Sequence, residues 1–292
     1  MIDLHTHSTA SDGSMSPQAL VEEAARLKFI ALALTDHDTI DGLDEAETAA
    51  TSLGIKFIPG VELQINLHNN SNPNSINELK GEFHLLGLGI AKPSRGFKNA
   101  LEELCVIREK RNLEIVNRMN EMDIKVTYEE ILSFSGGKLA GRPHFACFLI
   151  NKRLVKNQKQ AFEVYLGPGK PLYIHKAGMD FEKAVSLIKE SGGVAIMAHP
   201  FSLYAGWSKM PKVLSYYKER GLDGIEAWHP NVKRGPCSRL DELGRNMGFI
   251  ITAGSDFHGE TRPDRRLGYT AGGRKIDDSF LEELEKAIGH VR

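Results

Sequence analysis

IDLHTHSTASDGSMSP, residues 2–17, is a short apolar run ending in His5 and His7, then a polar loop carrying Asp12, then a helix start at Ser16 and Pro17. Ser16 is the expected N-cap and Pro17 the first helical residue. Leu20, Ala24 and Leu27 in the following PQALVEEAARL are spaced for one buried face. Strand, loop and helix form the first unit, and its repetition sets the fold. FIALALT (29–35) is a continuous apolar run of strand length, the pattern of a strand covered on both faces. A helix over about Leu43 to Leu53 precedes a third strand in KFIPGVEL (56–63). EFHLLGLGI (82–90), GVAIMAH (193–199), DGIEAW (223–228) and GFIITAGSD (248–256) continue the pattern. Seven strands separated mostly by helices predict an α/β fold with a parallel sheet closed as a barrel.

Two stretches interrupt this rhythm. NLHNNSNPNSINELKG (66–81) is polar and Asn-rich and predicts a mobile loop between strands. Residues from about 97 to 175 show no strand alternation. FKNALEELCVIREKRNLEIVNRMNEM (97–122) is one long helix, and TYEEIL (127–132) carries a capping box of Thr127 and Glu130. We expect a helical subdomain at 97–175, covering the active site and inserted into a barrel made of 1–96 and 176–292. The insert holds 13 Lys and Arg against 9 Asp and Glu, whereas the whole chain of 292 residues has a formal net charge of −1. It is the basic part.

Bulk composition narrows the function. The chain lacks the strongly basic surface that a long nucleic acid selects, so no duplex DNA partner is expected. No signal-peptide pattern and no run of about 18 apolar residues is visible, so no membrane association is expected. Cys105, Cys147 and Cys237 are far apart, without metal-ligand spacing, and read as reduced thiols of a cytoplasmic protein. Nothing marks an obligate protein partner.

The polar residues that end the apolar runs carry the chemistry. The first run delivers His5 and His7, with Asp12 just beyond; TDHD delivers Asp36, His37 and Asp38; GVE delivers Glu62. His84 lies earlier in its strand, and the later runs deliver His199, Glu226, His229, Asp256 and His258. Each alone is a weak signal. Parallel strands, however, place their C-terminal ends on one face, where barrel enzymes build their sites. Six imidazoles and three carboxylates meeting there without a ligand would leave buried polar groups unsatisfied, at roughly 1–3 kcal/mol each. Bound cations remove that cost. His and carboxylate donors without thiolate suit Mn, Fe or Zn, and nine side chains exceed what one ion holds. Two or three divalent ions are expected, with Glu62 the natural bridge. Three divalent ions against three carboxylates and a bridging hydroxide leave two positive charges, which match a phosphate dianion.

DLHTHSTASDG, LTDHDT, PGVE, AHP and SDFH resemble the PHP (polymerase and histidinol phosphatase) superfamily, and GRPHFACFLI is similar to a stretch of its TrpH-like branch. The resemblance spans nearly the whole chain. It implies a distorted seven-stranded (β/α)7 barrel with a trinuclear metal site, manganese first among the candidate ions. The first ion would take His5, His7, Glu62 and Asp256. The second would share Glu62 and take His84 and His199, and the third would take Asp12, His37 and His258. Some relatives have His in place of Asp12. The resemblance also implies a phosphoesterase acting on a small nucleotide, with the 3′-phosphate of a nucleoside 3′,5′-bisphosphate as the leading substrate. Alternatives are 5′→3′ trimming of short 5′-phosphorylated RNA, a histidinol-phosphate phosphatase, a metal-dependent amidohydrolase, and a non-catalytic module of a polymerase-like assembly.

Other residues take supporting roles. His229, at a strand end outside the ligand set, is the candidate proton donor to the departing alkoxide, against a plain hydrogen-bonded histidine. Asp36 is expected to orient a ligand imidazole. Arg142 and His144 of GRPH stand near a predicted helix start, where backbone N–H groups favour anions, and the resemblance points to them as phosphate binders. Pairing of Arg142 with a nearby Glu is the structural alternative. Arg108, Arg111 and Lys176 are further candidates, with plain surface solvation as the default.

Overall fold

The computed structural model describes residues 1–67, 79, 81–135, 140–175 and 177–291. Lys176 and most of the Asn-rich stretch lie outside them. Seven strands follow one another in chain order around one sheet: β1 Ile2–Asp3, β2 Ala31–Leu34, β3 Lys56–Ile65, β4 Phe83–Leu88, β5 Val194–Met197, β6 Gly224–Trp228 and β7 Ile250–Ala253. Beyond its short ladder, β1 meets the chain after β7: His7 N–H donates to Phe257 O at 2.9 Å and Asp256 N–H to His5 O at 3.0 Å. The sheet is therefore a nearly closed barrel.

Alternation along the strands separates inside from outside. Ile2 and Leu4, Ala31 and Ala33, Leu86 and Leu88, and Val194, Ile196 and Ala198 share one buried cluster, each set spaced by two. Leu281 and Leu284 of the last helix, α10 (Ser279–Val291), join that cluster. The opposite faces pack against helices. Leu32 and Leu34 meet Leu20, Val21 and Ala24 of α1 (Pro17–Arg26) and Ala46 and Ala50 of α2 (Leu43–Leu53). Ser16 caps α1 by accepting from Ala19 N–H at 3.1 Å. Of the expected buried face, Leu20 and Ala24 are buried and Leu27 is half-buried.

One expectation needs correction. The sheet is not wholly parallel, because β4 runs antiparallel to both β3 and β5. The register gives the direction: Gly60 lies opposite Leu88 and Ile65 opposite Phe83, so the chain runs back along β3. The reversal places His84, near the start of β4, opposite Gln64 and beside Glu62 on one face. It thus reaches the end of the barrel that the parallel strands reach with their C-termini.

Between β4 and β5 come α3 (Arg95–Glu121), α4 (Tyr128–Ser133), α5 (Arg142–Asn151), α6 (Gln158–Ala161) and a π-helical turn at Phe162–Leu166. The Thr127–Glu130 capping box is present. The expected boundary at residue 97 falls two residues into α3, and packing divides that helix. Phe97, Ala100, Leu101 and Leu104 belong to the barrel's outer core. Ile115, Val116 and Met119 belong to a separate core with Phe145, Phe148 and Leu166. The remaining elements are α7 (Phe181–Glu190), α8 (Met210–Lys218), α9 (Arg234–Asn246) and a two-stranded ladder of β8 (Tyr269–Thr270) with β9 (Arg274–Lys275).

Candidate metal centre

All nine expected ligands converge at one end of the barrel. His5, His7, Glu62 and Asp256 form one group, and His7, Asp12, His37 and His258 another, each with its donor atoms within 4.8 Å of one another. Glu62 faces two ways. Its Oε1 lies 2.8 Å from His84 Nδ1 and 2.9 Å from His199 Nε2. Its Oε2 lies 3.3 Å from both His5 Nε2 and His7 Nε2, and 3.0 Å from His37 Nδ1. Asp12 Oδ1 stands 3.2 Å from His258 Nε2. A compact third group joins His37 to Glu62 and His84, so His37 stands between two groups.

The donor set fits divalent cations. His7 Nδ1, His37 Nδ1 and Glu62 Oε2 are buried without a hydrogen-bond partner. His5 Nε2 and His7 Nε2 face one another at 3.1 Å. Burial and hydrogen bonding alone leave these atoms unexplained, and a shared cation satisfies them. The clusters are consistent with a multinuclear metal centre.

Local backbone geometry serves the aim of these side chains. His199, Asp256 and Asp38 adopt positive φ (30°, 52° and 54°), a conformation that costs a non-glycine residue about 1–3 kcal/mol and collects at functional sites. Gly254 has a steric reason to be glycine, since a Cβ there would stand 2.3 Å from His5 Cβ and 2.6 Å from Glu226 Oε1.

Electrostatics of the cluster favour positive charge beside its carboxylates. Burial opposes ionisation of Glu62, yet His37, His84 and His5 hold it well below the usual carboxylate range. Burial likewise opposes charge on His7, but Asp256 and Glu62 raise it to about 10. Burial brings His37 down to about 4. Without cations, protons on imidazoles balance the carboxylates, and cations must displace them. A folded-state pKa near 10 for His7 means that below pH 10 a proton leaves as an ion enters. The rise in melting temperature on adding a divalent cation should therefore shrink as pH falls from about 8 to about 6. One displaced proton corresponds to about 1.4 kcal/mol per pH unit. Thermal melts with and without cation across that range test this, and a constant increment would refute it.

The residues behind the ligands differ in part from expectation. Asp36, expected to orient an imidazole, takes its hydrogen bonds from serines among the described residues. Its carboxylate accepts from Ser8 N–H (2.8 Å), Ser8 Oγ (2.6 Å) and Ser11 Oγ (2.5 Å), and so fastens the loop that carries Asp12. Asp36→Asn should weaken cation binding at the Asp12 group by about tenfold. Competitive metal titration measures this, and unaltered affinity would remove the role. Glu226 takes the part expected of Asp36: His5 Nδ1 donates to its Oε1 at 3.0 Å, and its Oε2 accepts His199 N–H at 2.8 Å. His229 is hydrogen-bonded at both ring nitrogens, the arrangement weighed above against a proton donor. Its Nδ1 accepts Asn231 N–H at 3.3 Å and its Nε2 meets Asp256 Oδ2 at 3.3 Å, so the ring orients Asp256.

Sequence reasoning also missed Arg265. Its guanidinium is buried, without a hydrogen bond, and lies 3.6 Å from Asp256 Oδ2. Oδ2 thus faces His229 and Arg265, while Oδ1 faces His7 at 3.3 Å and His258 at 3.5 Å. No strand pattern marks Arg265; only its place shortly after SDFH offered a signal.

A cavity of about 450 Å³ opens over the ligands. Arg108, Arg111, Arg142 and Arg262 line it with Phe162, Phe201, Tyr204 and Asn231. Arg142 pairs with Glu82, the structural alternative considered above. Arg108 forms a buried pair with Asp38. Arg111 is 7% exposed and donates to Asn112 Oδ1 (2.8 and 3.3 Å), with no carboxylate partner among the described residues. Burial, then the like charges of Arg108 and Arg142, pull it down to about 9, the direction of a cation short of an anion. His144 is not among the lining residues. It is buried and accepts Gly141 N–H on Nδ1 at 2.9 Å, which closes the start of α5.

Comparison with known proteins agrees with this geometry. The PHP domain family model matches residues 3–167. A 5′-3′ exoribonuclease of Haemophilus influenzae is 34% identical over 288 residues, covering 97% of this chain and 98% of that protein. A 3′,5′-nucleoside bisphosphate phosphatase of Chromobacterium violaceum is 29% identical over 288 residues, covering 98% and 97%. A solved structure of an amidohydrolase from Chromobacterium violaceum, with bound sulfate and no metal, superposes with a TM-score of 0.85 at 29% identity, covering 98% and 96%. No helix among the described residues is long and apolar enough to cross a membrane. With a barrel that gathers nine His, Asp and Glu donors at one end, and a family model that matches more than half its length, this chain belongs to the PHP family of metal-dependent phosphoesterases.

Proposed function

We propose that this enzyme removes the 3′-phosphate from a nucleoside 3′,5′-bisphosphate. One observation carries the reading: a single cavity holds both the metal-donor cluster and Arg111, a buried cation with no carboxylate ion pair among the described residues. A substrate with two phosphates satisfies both. We assign a shared bridging role to Glu62, with His5, His7 and Asp256 on one side and His84 and His199 on the other. Asp12, His37 and His258 are proposed to hold a third ion. Manganese is the proposed metal, since the donors are imidazole nitrogen and carboxylate oxygen. Bound cations would supply charge for the phosphoryl oxygens and bring the pKa of water toward about 7.

The chain's own residues do the rest. Glu226 orients His5, His229 meets Asp256, and Asp36 steadies the Asp12 loop. Arg111 is proposed to bind the phosphate that is not cleaved, with Arg142 free to leave Glu82 for the same group. Lys176 remains a proposed contact. Helices α3 to α6 and the π-helical turn belong to the stretch that supplies Arg108, Arg111, Arg142 and Phe162 to the cavity, which supports a subdomain devoted to the substrate.

Phosphate release from 3′-phosphoadenosine 5′-phosphate tests the proposal, with metal content measured on the same sample. Turnover should vanish on chelation and in His199→Ala. Substantial release by metal-free protein would overturn it. The Haemophilus relative favours a second reading, 5′→3′ trimming of short 5′-phosphorylated RNA. Mononucleotide release that increases with oligonucleotide length would favour that reading.

A further inference from the structure

We infer that Tyr204 is the face on which the substrate's nucleobase stacks; this rests on the reading above that the substrate is a nucleotide. Tyr204 lines the cavity and is 78% exposed. Its ring has no aromatic neighbour and its hydroxyl no hydrogen bond among the described residues. The other rings of this segment are already engaged: Phe201 packs on Trp207 with centroids 5.5 Å apart, and Arg239 covers Trp207 at 4.3 Å. An isolated, exposed tyrosine at the mouth of an arginine-lined cavity offers a flat surface that folding leaves uncovered.

The platform is held rigidly beside the metal ligands. Tyr204 ends the short 3₁₀ turn Pro200–Leu203, which begins at His199, and both flanking residues have positive φ (30° and 52°). Ser202 Oγ donates to Glu82 O at 2.8 Å, and Glu82 N–H donates to Ser202 O at 3.1 Å. Leu203 is fully buried in the barrel's outer core. The turn therefore cannot relax to bury Tyr204 without disturbing His199. The metal-donor cluster and Arg111 take the two phosphates, and the ring takes the planar group attached to the sugar between them. Stacking of a base on an aromatic ring is tolerant of base identity, so this site reads the presence of a base rather than its sequence.

The test compares a nucleoside 3′,5′-bisphosphate with base-free ribose 3,5-bisphosphate, in the wild type, Tyr204→Ala and Tyr204→Phe. In Tyr204→Ala the KM for the nucleotide, divided by the KM for the base-free compound, should rise about 5- to 100-fold, with kcat for the nucleotide little changed. Tyr204→Phe keeps the ring and should behave as the wild type. An unaltered ratio in Tyr204→Ala overturns the inference, as does an equal loss on both compounds. Equilibrium binding of the same two ligands is measured in parallel. If the wild type releases phosphate from neither compound, the proposed activity fails, and the binding ratio still decides the role of Tyr204.

Discussion

Glu62→Gln should strip bound cations from the centre and lower kcat/KM by about 10²–10⁴-fold. Both oxygens of Glu62 face imidazoles, five of which lie within 3.3 Å of them. Glutamine preserves the shape, yet it replaces one oxygen with an NH₂ group that cannot ligate and removes the charge shared by the groups. Removing one partner of a buried charge cluster costs about 3–5 kcal/mol, which corresponds to the rate loss stated. Metal per chain and steady-state kinetics, measured on the same preparation, test the prediction. Full metal content in the variant would show that Glu62 is not a shared ligand.

The second large effect is two-sided. Arg111→Met should raise KM for a bisphosphate by about 30-fold or more, since truncating one member of a buried charge pair costs about 2–5 kcal/mol. The same variant, without substrate, should be more stable than the wild type by about 1–3 kcal/mol, because a buried cation with no carboxylate ion pair among the described residues is replaced by an apolar chain of similar length. Urea unfolding of the unliganded protein and KM for substrates with one or two phosphates give the two readings. A destabilised variant with unchanged KM would make Arg111 a structural residue.

The centre was more legible in the sequence than the sheet direction was. Candidate ligands such as His5, Glu62 and Asp256 stand where apolar runs stop, and a run's end is visible without any knowledge of pairing. Strand direction depends on what connects the strands. β3 and β4 looked like members of a parallel series because their apolar patterns match those of the others, and an apolar pattern carries no mark of direction. His84 already gave a sign, since it sits early in its run where every other ligand sits late. The supporting residues were harder. Asp36 and Glu226 are both acidic groups near strand ends, and one-dimensional neighbourhood pointed to Asp36, next to His37. Strand pairing decides the matter, because it carries Glu226 beside His5, 221 residues away. Arg265 comes from a loop whose path no periodicity describes.

The reversed fourth strand also governs the course of the chain beyond it. Because β4 finishes at the end of the barrel remote from the cations, the chain must climb back, and α3 makes that climb in one 27-residue rod, about 40 Å at roughly 1.5 Å per residue. The rod works as a ruler: its count of residues from the foot of the barrel sets the height and bearing of Arg108 and Arg111. One residue added or removed below them would swing both guanidinium groups about 100° around the axis, leaving the cations in place but with the anion's second grip turned away.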